Sequence, residues 1–134
     1  VDDGFGLKYG DDTLTIIAHY TYWRWTECIR AISLLTNAYA LTSEPIYAHK
    51  AGVLLARFAD IYPNIDYSFV AKNGWGISDG GSHQGMIQGR IWETATASTL
   101  SEGYDTIYEY LVTDRELVDF CARMREQYSG GRNG

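Results

Sequence analysis

Trp25-Thr26-Glu27-Cys28-Ile29-Arg30-Ala31-Ile32-Ser33-Leu34-Leu35-Thr36-Asn37-Ala38-Tyr39-Ala40-Leu41-Thr42-Ser43-Glu44-Pro45-Ile46-Tyr47-Ala48 decides how this chain folds. Trp25, Cys28, Ile29, Ile32, Leu35 and Tyr39 recur at helical spacing, which lines them along one side of an α-helix beginning near Thr13. Thr42-Ser43-Glu44-Pro45 breaks that helix. Ser43 is placed to cap the next one, and Pro45 suits a first turn, where a missing N–H is no loss. The second helix runs to about Tyr62 on a stripe of Tyr47, Ala51, Leu54, Leu55, Phe58 and Tyr62, and Pro63 stops it. So short a link between two long helices makes them antiparallel neighbours, a helical hairpin over 13–62.

A second hairpin is expected over 87–128. Its first helix starts between Ile87 and Ile91, ends near Leu111, and carries Leu100, Tyr104, Ile107 and Leu111 on one side. Gly103 inside it costs about 1 kcal/mol against alanine and admits close helix approach. Thr113-Asp114-Arg115-Glu116 reads as a capping box opening the last helix, whose stripe is Leu117, Val118, Cys121, Met124 and Tyr128. Residues 1–12 read as loop. Between the hairpins, 63–86 has no helical period and contains the glycine-rich run Lys72-Asn73-Gly74-Trp75-Gly76-Ile77-Ser78-Asp79-Gly80-Gly81-Ser82-His83-Gln84-Gly85. The expected class is therefore all-α, built of antiparallel helical hairpins in a ring or stack, with chemistry on the loops at one mouth. An irregular segment of that length is usually functional or disordered, and Trp75, His83 and Gln84 favour function.

Composition narrows the chemistry. The chain has 134 residues, room for one domain burying about two-thirds of its unfolded surface. It carries 11 Lys and Arg against 17 Asp and Glu, with no basic run, which argues against nucleic-acid binding. No apolar stretch reaches the ~20 residues needed to span a bilayer. The 11 Tyr and 4 Trp suit either helix packing or surfaces that meet sugars and other domains. Cys28 and Cys121 have no metal spacing and fall on apolar stripes, so buried free thiols are expected. The glycine-rich ends, Val1 to Gly6 and Ser129 to Gly134, read as loops of a longer protein.

No metal or cofactor is expected. His19, His49 and His83 are scattered, no HExxH occurs, and the glycines match no phosphate-binding fingerprint. His49, beside Lys50, reads as a solvated surface residue. Glu102, Asp105 and Glu109 read as a solvated stripe rather than as paired carboxylates. The run Gln88-Gly89-Arg90-Ile91-Trp92-Glu93 is richer, because it joins the loop to a helix start that favours anions. Arg90 can grip a carboxylate and Trp92 can stack on a sugar face; equally, Arg90 can pair with Glu93 or Glu27 and Trp92 can fill the core. With Trp75, His83 and Gln88, these two residues form the candidate substrate-binding set. Tyr20, Tyr22, Trp23, Arg24 and Trp25 form a second candidate wall, for which packing is the leading explanation.

Trp23-Arg24-Trp25, Ala31 through Thr42, Tyr47-Ala48-His49-Lys50-Ala51 and Leu54 through Pro63 together resemble the toroid domain of heparinase II/III-like polysaccharide lyases. Gly89-Arg90-Ile91-Trp92-Glu93 and Gly103-Tyr104-Asp105 resemble that family's next hairpin. The similarity covers most of 19–112, and the order of these motifs is more specific than any one of them. It implies part of an incomplete α/α toroid, followed by a β-sandwich domain of the same chain, and a periplasmic or extracellular location. It also implies β-elimination on an acidic polysaccharide containing uronic acid, such as heparan sulfate or alginate. The family's Asn-His segment and catalytic Tyr have no counterpart in these residues, so no catalytic residue is assigned and the piece alone is expected to be inactive. Two other readings stay open. One is a uronate glycoside hydrolase on a related toroid, for which Asp79 and Asp105 are the candidate carboxylates. The other is a non-catalytic helical-hairpin module binding a glycan or a protein.

Overall fold

The computed structural model describes residues 7–14, 16–65 and 90–129, with side chains described over 10–11, 24–63, 65 and 93–127. The described chain is helical apart from one short ribbon. Strands β1 (Leu7–Tyr9) and β2 (Asp12–Leu14) precede helices α1 (Ile16–Thr42), α2 (Pro45–Ile61), α3 (Arg90–Leu111) and α4 (Arg115–Ser129). A 3₁₀ turn, Tyr62–Asn64, ends α2. Among the described residues no helix is long and apolar enough to cross a membrane.

The ribbon corrects the reading of 1–12 as loop and moves the start of α1 from Thr13 to Ile16. Leu7, Lys8 and Tyr9 pair antiparallel with Leu14, Thr13 and Asp12, which leaves Gly10-Asp11 as a two-residue turn. Such a turn needs positive φ, and Gly10 supplies it at 62°.

The first core lies where Trp25, near the start of the described side chains, meets Phe58 near the end of α2. Their rings make an edge contact with centroids 5.3 Å apart, so α1 and α2 run antiparallel. Ile29, Ile32 and Phe58 form the buried centre there, with Cys28, Leu54, Leu55, Tyr62, Ile65 and Leu100 packed against it. A second centre, Ala48, Ala51 and Ile107, sits toward the other end, among Leu35, Tyr39, Leu55, Tyr110 and Leu111. Thr36 is buried beside them, and its hydroxyl donates to the Ser33 carbonyl (3.1 Å).

Helix α3 runs the same way as α1. Gly103 abuts Ile32, and Tyr39 and Tyr110 approach to 6.0 Å between centroids. Helix α4 runs the same way as α2: His49 meets Asp114, Gly52 meets Leu117, and Asp60 meets Arg125. Helix α2 thus touches α1, α3 and α4, whereas α3 and α4 do not pack along each other, so the antiparallel hairpin expected over 87–128 is not formed as a packed pair.

Both helix starts that the sequence marked are capped differently from expectation. Ser43 does not cap α2; it takes a left-handed φ of 57°, and its N–H returns to the Tyr39 carbonyl (2.7 Å), closing α1. Glu44 stands at the N-cap of α2 with no side-chain bond, and Pro45 follows in the first turn. At α4 the capping carboxylate is Asp114, whose Oδ1 accepts from the Leu117 N–H (2.9 Å), while Thr113 donates back to the Tyr110 carbonyl (2.9 Å). Two residues assigned to apolar stripes are exposed, Tyr104 at 50% and Val118 at 60%. The interior line of α3 instead runs through Thr96, Gly103 and Ile107, because α1 and α2 cover only that side.

Gly103 sets how close α3 comes to α1. A Cβ there would lie 2.8 Å from Ile32 Cγ2. That methyl is fixed to a β-branched, fully buried side chain, so it yields only if the backbone moves. Overpacking of about 1–3 kcal/mol then exceeds the roughly 1 kcal/mol of helix propensity that alanine adds. Gly103→Ala is expected to lower stability by about 1–2 kcal/mol, read as a lower urea midpoint with unchanged slope.

Candidate functional site

The two long helices α2 and α3 have their loop-side ends next to each other. Tyr62 closes α2, its N–H returning to the Phe58 carbonyl, and Glu93 lies in the first turn of α3. The Tyr62 hydroxyl donates to Glu93 Oε1. Burial, the hydrogen bond to Glu93 and the charge of that carboxylate together push the Tyr62 phenol up to about 12. At neutral pH it is therefore a neutral donor, and it is poorly suited to act as a base.

Trp75, His83 and Gln88 lie outside the described residues. Arg90 and Trp92 are in the first turn of α3, with their side chains outside the described set. Of the second wall, Tyr20, Tyr22 and Trp23 are likewise outside it, Arg24 is exposed, and Trp25 is packed on Phe58. Trp25 is therefore a core residue, as its stripe position indicated.

Glu102, Asp105 and Glu109 are all exposed, and Glu102 accepts from the Ser98 hydroxyl (2.8 Å) one turn away. Asp79 lies outside the described residues. Cys28 and Cys121 are free, half-buried thiols, and no disulfide joins them. Burial pushes the Cys121 thiol up, against the opposing charge of Arg125, so little thiolate forms near neutral pH.

At the opposite end is a polar cluster that the sequence did not signal. His49 is not a solvated surface residue: its Nδ1 is 2.8 Å from Asp114 Oδ2, and its side chain is 19% exposed. Asp114 is buried and serves two helices, capping α4 and holding His49 of α2. Burial first, then the charges of Asp114 and Glu116, push the Tyr110 phenol up. A carboxylate-bound imidazole is a familiar part of metal and hydrolytic sites. Among the described residues, however, no group of three His, Cys, Asp or Glu is placed to hold a metal ion. The cluster works as a clamp between α2 and the α3–α4 turn.

Comparison with known protein families, with curated proteins and with solved structures gives no match to this chain.

Two outcomes follow from these contacts. Asp114→Ala removes a cap and leaves a half-buried imidazole without its carboxylate, so it should destabilise by about 2–4 kcal/mol; His49→Ala should cost less, and a double-mutant cycle should show the two effects to be coupled. For Tyr62, the folded phenol ionises above its ordinary value of 10.0. Its contribution is therefore complete below that pH and drains as pH rises toward about 12. Tyr62→Phe should lower stability by roughly 1–2 kcal/mol at pH 8, and the gap between the two urea midpoints should close in the alkaline range.

Proposed function

We propose that this chain forms part of the α/α toroid of a polysaccharide lyase that cleaves uronic-acid-containing polysaccharides by β-elimination. The reading rests on the ordered run of motifs over 19–112 that resembles the heparinase II/III-like toroid. The helix directions are compatible with it, α3 running the same way as α1 and α4 the same way as α2.

In the proposed reaction a base takes the proton at C5 of the uronate. The C5–H electron pair becomes the new C4–C5 double bond, the bond from C4 to the glycosidic oxygen breaks, and that oxygen takes up a proton to leave as the hydroxyl of the departing sugar. Charge that develops on the neighbouring carboxylate must be neutralised for the C5 proton to leave. Arg90, at the start of α3, is the residue of this chain assigned to grip that carboxylate, with Trp75, His83, Gln88 and Trp92 lining the sugar path. No base is assigned among these residues. The partner is an acidic polysaccharide, the proposed setting is periplasmic or extracellular, and a β-sandwich domain of the same polypeptide would complete the protein.

The test uses the polypeptide that carries this chain, incubated with heparan sulfate, alginate and related uronate polymers. Ultraviolet absorbance from a newly formed unsaturated uronate marks elimination. New reducing ends without that absorbance mean hydrolysis and overturn the reading, as does inertness on every uronate polymer. Arg90→Ala should reduce turnover by at least about tenfold with the thermal midpoint unchanged. Parallel loss of folding and turnover identifies Arg90 as structural.

A further inference from the structure

Helix α4 is fastened along one side only. It packs along α2, and among the described residues neither α1 nor α3 runs along it. Of its side chains from Arg115 to Gln127, Leu117 alone is buried; Phe120, Cys121 and Met124 are half-buried and the others are exposed. The two buried centres of the fold, around Ile29, Ile32 and Phe58 and around Ala48, Ala51 and Ile107, contain no residue of α4.

Three ties hold α4 to α2. Asp114 Oδ2 meets His49 Nδ1 at 2.8 Å, Leu117 lies on Gly52, and Arg125 reaches Asp60 Oδ1 at 2.9 Å. The last joins two solvated side chains, so water and salt weaken it. The cap of α4 is its own, because Asp114 Oδ1 accepts from the Leu117 N–H within the same first turn. The link from α3 is exposed at Val112 and Thr113, and their N–H groups return to the Tyr108 and Tyr110 carbonyls of α3. Neither the cap nor the link draws on α2.

We propose that α4 is a detachable strap: it leaves α2 as a unit, turning about Val112-Thr113, while α1, α2 and α3 stay packed. Release breaks the three ties and keeps both buried centres whole, which is the condition for opening short of global unfolding. A free helix of 15 residues is marginal in water, so α4 loses its hydrogen bonds together once it is off. Opening uncovers one side of Gly52 and the Cys121 thiol, which lies in the seam among the charges of Arg125, Asp60 and Asp114. The inference does not depend on the catalytic reading.

Native-state hydrogen exchange of the whole chain, followed residue by residue by NMR, tests it. The α4 amides should exchange together, at least about tenfold faster than the slowest amides of α1–α3. Their exchange should also respond less to urea, since release exposes less surface than unfolding. Gly103→Ala separates the two events, because it loosens α1 against α3 and touches none of the three ties. It should speed the slowest α1–α3 amides about tenfold and leave the α4 amides at the wild-type rate. Ile107→Val, a milder change in the other buried centre, should act in the same direction. Leu117→Ala removes the buried tie and should speed α4 exchange by at least about tenfold. Alkylation of Cys121 by iodoacetamide should follow α4, raised by Leu117→Ala and unmoved by Gly103→Ala. If Gly103→Ala or Ile107→Val speeds α4 and the centre in step, α4 opens only with the whole molecule and the proposal is overturned. Amides of α4 that exchange one after another from the Ser129 end mean fraying, and overturn it as well.

Discussion

Everything in this fold depends on how closely helices approach α2. Ala48, Ala51 and Gly52 give it a face with almost no side chains, and all three are buried. That face lets Ile107 of α3 and Leu117 of α4 come down on the backbone of α2, while Phe58 and Leu55 on the next side hold α1. Small residues bury little surface of their own. Here they are productive because the large side chains come from the neighbours. Gly103 repeats the device between α3 and α1, receiving Ile32.

With α2 fixed in this way, the two ends of the molecule differ. At one end Asp114 links α2 to the turn between α3 and α4 through bonds to His49 and to the backbone of α4. At the other end the Tyr62–Glu93 bond holds the close of α2 against the opening of α3. The first is a buried, charged clamp and the second a neutral donor on a carboxylate. Of the residues proposed to meet substrate, Arg90 and Trp92 lie in the same turn of α3 as Glu93.

The helices were legible from the spacing of their apolar residues and from their breaks, and their observed limits fall within a few residues of those expected. The stripe of α1 is the clearest case, from Trp25 to Tyr39, since every large apolar residue on it meets α2 or α3. The ribbon at Leu7 to Leu14 was missed although Gly10-Asp11 is a good turn signal, because two three-residue strands leave too little alternation to register. His49 was misread for a different reason. Its partner lies 65 residues away, and no local pattern reports a contact of that range. Thr113 was misplaced because the adjacent Asp114 takes the cap, and Ser43 because its left-handed backbone closes α1 instead of opening α2. Tyr104 and Val118 fit their stripes by spacing, but spacing does not say how much of a helix its neighbours cover. Of the candidate set, the helix start that carries Arg90 and Trp92 was legible; the other members lie outside the described residues, and the roles of side chains depend on contacts that spacing does not encode.

The spacing of the α2–α4 contacts bears on how the chain is made. His49 and Asp60 each reach partners 65 residues further along, in or just before α4. A ribosome that has just released α2 has therefore released a helix whose alanine and glycine face is still wet. That face stays uncovered until both later helices have emerged, so a nascent chain stalled before Arg115 would present to chaperones the surface that the finished protein hides most completely.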